Sequence, residues 1–164
     1  MIPPLLAGLL ATVLSTLGTS GVGASAASSP IWPVTPVRIL ADFDPPNAVW
    51  EAGHRGLDLA AVTGDQVVSM TGGRVGFVGT VAGKPVVTVL LSDGRRVTYE
   101  PVHGDVVFGD RVEPGTLLGT VAREGGHCGG RSGCLHVGLL RGDTYLNPRS
   151  LLRMPVVLKP WTPR

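Results

Sequence analysis

This sequence predicts an all-β domain, and three observations carry the prediction. Glycine (24) and proline (14) are abundant among the 164 residues, which favours many turns joining short strands. From Gly56 onward, short apolar runs are punctuated by glycine. Beyond the N-terminal segment no stretch keeps a long 3.6-residue periodicity, so no helix would have an apolar stripe to bury. With 43% hydrophobic residues the chain can bury one core, most simply as one domain with a tail.

The chain divides into four parts. Residues 1–27 read as a secretory signal peptide: an almost wholly apolar run at 2–17 leads into Ala24-Ser25-Ala26-Ala27, a small-residue cleavage pattern. No Lys or Arg precedes the run, and Thr12, Ser15, Thr16 and Gly18 make it a poor membrane anchor. No later segment is apolar enough to span a membrane. Residues 28–50 form a proline-rich linker and edge segment. A first edge strand is expected at 34–40, because Pro33 and Pro36 exclude a central one, and Asp44-Pro45-Pro46-Asn47 marks a turn. Trp32, Phe43 and Trp50 are expected to pin this segment to the domain.

Residues 51–152 hold the domain proper, and 153–164 a C-terminal tail. Strands are expected at 57–61, 66–69, 73–81, 85–91, 95–101, 116–121 and 134–140, with a short one near Val156. Asp93-Gly94 is a hairpin signal, since that pair fits turns whose twist matches the flanking strands. Residues 110–115 read as a turn and 148–152 as a brief helix. Gly64-Asp65-Gln66-Val67 and Gly109-Asp110-Arg111-Val112 echo each other, as a repeated hairpin scaffold would.

A net charge of +2, with no Lys/Arg cluster interleaved with aromatics, gives no basis for nucleic-acid binding. The two cysteines, Cys128 and Cys134, stand six apart in glycine-rich sequence. Export favours a disulfide between them; direct zinc ligation by Cys134 and a free thiol are the alternatives.

The chemistry concentrates in Gly53-His54-Arg55-Gly56-Leu57-Asp58. An imidazole and a carboxylate four residues apart offer donors that suit Zn²⁺. A solvated loop histidine near a surface aspartate would look the same. A third donor has to come from elsewhere, and the candidate is His136 in Cys134-Leu135-His136-Val137.

The ordered set Gly53-His54-Arg55-Gly56-Leu57-Asp58-Leu59-Ala60-Ala61, Gly72-Gly73-Arg74-Val75, Gly109-Asp110-Arg111-Val112 and Leu135-His136-Val137 closely resembles the lysostaphin-type zinc metalloendopeptidases. Those enzymes cut peptide cross-bridges or stem peptides in bacterial peptidoglycan. The similarity covers about residues 32–152. It implies an antiparallel, glycine-rich β-sheet or sandwich with a groove, one Zn²⁺ held by His54, Asp58 and His136, and a fourth position left for water. It further implies peptidoglycan peptide as the partner, while the signal segment at 1–27 implies a secreted or cell-envelope protein.

The sequence also departs from that pattern. Active members carry two further histidines that are not ligands, one two residues after a tyrosine and one two residues before the last ligand. Here those positions are Pro101, after Tyr99, and Cys134. Loss of acid–base groups typically costs about 10²–10⁴-fold in rate. His103 and His127 are the candidate substitutes, and Glu100 is expected to point away from the face of Pro101 as a packing or rim residue. Two readings follow: a hydrolase with an improvised acid–base group, or a zinc-containing module that binds wall or regulates a cell-wall hydrolase partner.

Overall fold

A computed structural model describes residues 29–46, 48, 50–126, 128 and 133–152. The signal segment expected at 1–27, the strand expected near Val156, the tail at 153–164 and His127 lie outside the described residues.

The glycine-punctuated runs form strands β1 (Ile39–Ala41), β2 (Leu57–Ala60), β3 (Gln66–Val68), β4 (Gly73–Val81), β5 (Lys84–Leu90) and β6 (Arg95–Glu100). They continue with β7 (Val102–Gly104), β8 (Arg111–Val112), β9 (Leu117–Val121), β10 (Cys134–Arg141) and β11 (Thr144–Leu146), then a 3₁₀ turn at Pro148–Leu152. No α-helix occurs among the described residues. One antiparallel sheet runs β1-β2-β10-β6-β5-β4-β8, with β11 also on β10; a second, of three strands, runs β3-β9-β7.

The two sheets share one core. In β10 the alternation of a strand puts Leu135, Val137 and Leu139 into it and sends Cys134, His136 and Gly138 to the other face. Leu57 and Leu59 of β2, Val97 and Tyr99 of β6, and Val67, Leu118 and Val121 of the smaller sheet complete the packing, all nearly or fully buried. The Tyr99 hydroxyl is kept satisfied there by accepting the Met70 N–H at 2.9 Å, as a buried polar group must be.

Several elements differ from the sequence expectation. The edge strand expected at 34–40 is confined to Ile39–Ala41, because prolines at 33 and 36 have no N–H to donate to a ladder. The preceding segment is held by single backbone bonds instead, such as Ile31 N–H to Met70 O at 3.0 Å and Val68 N–H to Pro33 O at 2.9 Å. Trp32 packs against the core, whereas Trp50 is 88% exposed and pins nothing. β7, β8 and β11 are short strands where turns or no element were expected.

The Gly-Asp echo is a real structural device. In each copy the Asp carboxylate accepts the N–H three residues back, Val62 to Asp65 at 2.8 Å and Val107 to Asp110 at 2.9 Å. Gly64 and Gly109 both adopt φ near +90° (93° and 92°), a region glycine enters without steric cost. Each unit then clamps one residue of another strand from both sides. Gly64 donates to Val121, which donates back to Asp65; Gly109 donates to Val75, which donates back to Asp110. The same turn thus docks once on β9 and once on β4.

Candidate metal centre

Strand register brings the separated motifs together. β10 pairs with β2 so that His136 lies opposite Asp58 and Cys134 opposite Ala60; on its other side His136 lies opposite Glu100 of β6. Directly opposed residues of an antiparallel pair share a face. Asp58, His136 and Glu100 therefore form one row across the open side of the large sheet.

His54 reaches this row from the loop before β2. Its backbone makes a two-way bridge with Asp44, His54 N–H to Asp44 O at 2.7 Å and the reverse at 2.9 Å. The two glycines of the motif permit the approach. A Cβ on Gly53 would stand 2.7 Å from Pro46 Cδ and 2.8 Å from Asp44 O; one on Gly56 would stand 2.5 Å from Cε1 of His136. Both distances are far below ordinary carbon contact at about 3.5–4.0 Å.

His54, Asp58 and His136 can each aim one donor atom at a common point. His54 Nε2 lies 3.1 Å from Asp58 Oδ1 and 3.3 Å from His136 Nδ1, and His136 Nδ1 lies 2.7 Å from Asp58 Oδ1. For comparison, donors around a tetrahedral ion with bonds of 2.0–2.1 Å stand about 3.3 Å apart. Asp58 is only 4% exposed, and burying a carboxylate is costly unless it is paired.

The orientation of His54 tests whether the set suits a cation. Its Nδ1 lies 2.6 Å from the Asp42 carbonyl oxygen, and a carbonyl can only accept, so Nδ1 carries the hydrogen. In the neutral ring Nε2 then presents its lone pair to the Asp58 carboxylate, which is repulsive unless a cation or an added proton lies between them. A divalent ion such as Zn²⁺ fits this donor chemistry. Carbonyl support of the distal ring nitrogen is also the usual way a ligating histidine is oriented. Asp42 is held in turn by Arg149 through two bonds, Nε to Oδ1 at 3.0 Å and Nη2 to Oδ2 at 2.6 Å.

Beside this cluster Cys128 and Cys134 form a disulfide, with Cα atoms 5.8 Å apart. The Cys128 sulfur lies 3.3 Å from Asp58 Oδ2; a disulfide sulfur has no hydrogen to donate, so this is a packing contact. Cys134 is 1% exposed and Pro101 is buried. Neither position supplies a group that can exchange a proton.

The other candidates fall elsewhere. His103 is exposed on β7 and pairs through Nε2 with Glu124 at 2.8 Å; it is not among the described groups that converge with Asp58. Glu100 stands on the groove side, 3.4 Å from Lys84 Nζ. It shares with His136 a groove of about 330 Å³, lined also by Phe77, Thr88, Thr98 and Tyr145. Sequence reasoning missed Asp42 and Arg149, which lie 12 and 95 residues from His54 and act through a backbone carbonyl and an ion pair.

The chain is similar to several known proteins. The model of peptidase family M23 matches residues 52–148. An uncharacterized protein of Mycobacterium tuberculosis is 38% identical over 136 residues, covering 79% of this chain and 54% of the relative. The chain thus spans about half the length of the curated relatives it matches. A zinc containing peptidase from Vibrio cholerae superposes with a TM-score of 0.63 at 18% identity, over 80% of this chain and 41% of that one. Lysostaphin superposes with a TM-score of 0.58 at 19% identity, over 71% and 50% respectively. At these identities the two structures show a common fold.

Proposed function

Since the chain belongs to peptidase family M23, the family of the lysostaphin-type enzymes, we propose that it is an exported zinc-dependent domain that binds and hydrolyses the peptide of bacterial peptidoglycan. The convergence of His54 Nε2, Asp58 Oδ1 and His136 Nδ1 carries this reading. His54, Asp58 and His136 would hold the ion, which when bound acts as a Lewis acid and lowers the pKa of water. The chain's own residues do the rest. Asp42 fixes the His54 tautomer through its carbonyl, and Gly56 leaves room for the His136 ring. The groove over β4, β5, β6 and β10 offers an extended surface beside the ligand row, with Phe77 and Tyr145 as apolar walls and Glu100 at its rim.

A specific observation favours a second reading, a zinc-containing module that binds wall or regulates another hydrolase without turning over. Cys134 is tied up in a disulfide and Pro101 is buried, where acid–base groups would be needed. One experiment separates the two. Zinc-loaded full chain is incubated with peptidoglycan of several cross-link types, and new amino termini are counted. The hydrolase reading expects release that His136→Ala abolishes. No release from any wall type, with zinc bound and the fold intact, leaves the second reading.

A further inference from the structure

We infer that the Cys128–Cys134 disulfide governs the metal centre: reduced, it delivers a thiolate that closes the ligand set; oxidised, it leaves one position open. This rests on the zinc reading above and adds its regulation.

Asp58 belongs to two donor groups at once. Its Oδ1 faces His54 Nε2 and His136 Nδ1, while its Oδ2 faces the Cys128 sulfur at 3.3 Å. Within each of the sets His54/Asp58/His136 and Asp58/Cys128/Cys134, the donor atoms lie within 4.8 Å of one another. The sulfurs therefore flank the same carboxylate on its other oxygen, and once the bond between them is broken the Cys134 side chain is free to rotate toward an ion at the first set. Cys134 cannot turn away, because its backbone pairs with Ala60 in β2 and its side chain leaves β10 on the same face as His136.

The oxidation state decides what those sulfurs can do. A disulfide sulfur is a poor ligand, whereas a thiolate is among the best for zinc, with Zn–S near 2.3 Å. A dithiol reductant transfers two electrons and two protons to the Cys128–Cys134 bond. It becomes a disulfide itself and leaves two thiols. A thiol that then binds the ion releases its proton. Two imidazoles, one carboxylate and one thiolate make four ligands, the closed set of a structural site; three ligands with the sulfurs locked together leave the open position a catalytic site needs. The centre would thus be latent in a reducing compartment and competent in an oxidising one. This also gives the cysteine at position 134 a role that a histidine there could not perform.

The test uses the full chain and Co²⁺ in place of zinc, since thiolate ligation to cobalt gives a near-ultraviolet charge-transfer absorption. Oxidised protein is expected to bind Co²⁺ without that absorption. Protein reduced by a dithiol that is then removed is expected to show it, and zinc should protect one of the two freed thiols from a disulfide reagent. The doubly substituted Cys128→Ser/Cys134→Ser protein, checked for fold by circular dichroism, should bind Co²⁺ without the absorption under either condition. Charge-transfer bands absent from the reduced protein, with both thiols still reactive when metal is bound, overturn the proposal while leaving the zinc reading intact. Failure of the oxidised protein to bind any cobalt overturns the zinc reading and this proposal with it.

Discussion

Replacing Gly56 by alanine tests the packing that underlies the ligand row. The added Cβ would lie 2.5 Å from His136 Cε1 and 2.5 Å from the Val137 carbonyl oxygen, about 1 Å inside ordinary contact with each. The carbonyl belongs to β10, whose backbone is fixed by pairing on both sides, so both the backbone at residue 56 and the His136 ring have to give way. Overpacking of this kind costs about 1–3 kcal/mol of stability. Displacing a ligating imidazole from its supports is expected to weaken zinc binding by about 10–100-fold. Denaturant unfolding reads the first quantity and chelator competition the second. Gly126→Ala is the control, because nothing lies within 4 Å of a Cβ there. Wild-type zinc affinity in a folded Gly56→Ala protein would refute the placement of His136 against Gly56.

Two further perturbations address the supports of the fold and the site. Burial pushes the Tyr99 hydroxyl up to about 12 from its ordinary 10, so the folded state holds that proton more tightly than the unfolded one. This contribution is fully present below pH 10 and is lost as pH rises toward 12, roughly 3 kcal/mol in all. Unfolding followed across that window should lose stability in wild type, while Tyr99→Phe should lack that part of the loss. Tyr99→Phe should also be less stable at neutral pH by about 1–3 kcal/mol, because the Met70 N–H loses its acceptor. Arg149→Ala removes both hydrogen bonds to the Asp42 carboxylate. The pair is solvent-exposed, so stability should change by no more than about 1 kcal/mol, whereas zinc affinity should fall about tenfold as the His54 tautomer loses its brace. Unchanged affinity in Arg149→Ala would remove Arg149 from the site.

Much of the fold was legible because its strands are bounded by residues with one structural meaning. Gly72-Gly73 opens β4 and Asp93-Gly94 turns β5 into β6; all three strands run close to where the pattern of apolar residues puts them. Short elements escaped for a physical reason. β8 has two residues inside a Gly/Pro turn, and β7 starts one residue after Pro101, so pairing partners rather than local propensity create them. An aromatic side chain in a proline-rich stretch looks like an anchor, yet Trp50 is 88% exposed. At the candidate site, the ligand residues could be picked out from donor type and order along the chain. Their supports could not. Asp42 acts through its backbone carbonyl, and Arg149 reaches it across 107 residues, neither of which leaves a mark in local sequence. Glu100 shares the face of His136 only because β6 and β10 pair in that register, which no single strand reveals.

The central claim is that His54, Asp58 and His136 hold one metal ion. Metal content of the purified, oxidised full chain tests it directly, measured by mass spectrometry after dialysis against zinc-containing and then zinc-free buffer. One zinc per chain is predicted for wild type, with none retained by His136→Ala. A folded wild-type protein that retains no zinc contradicts the account.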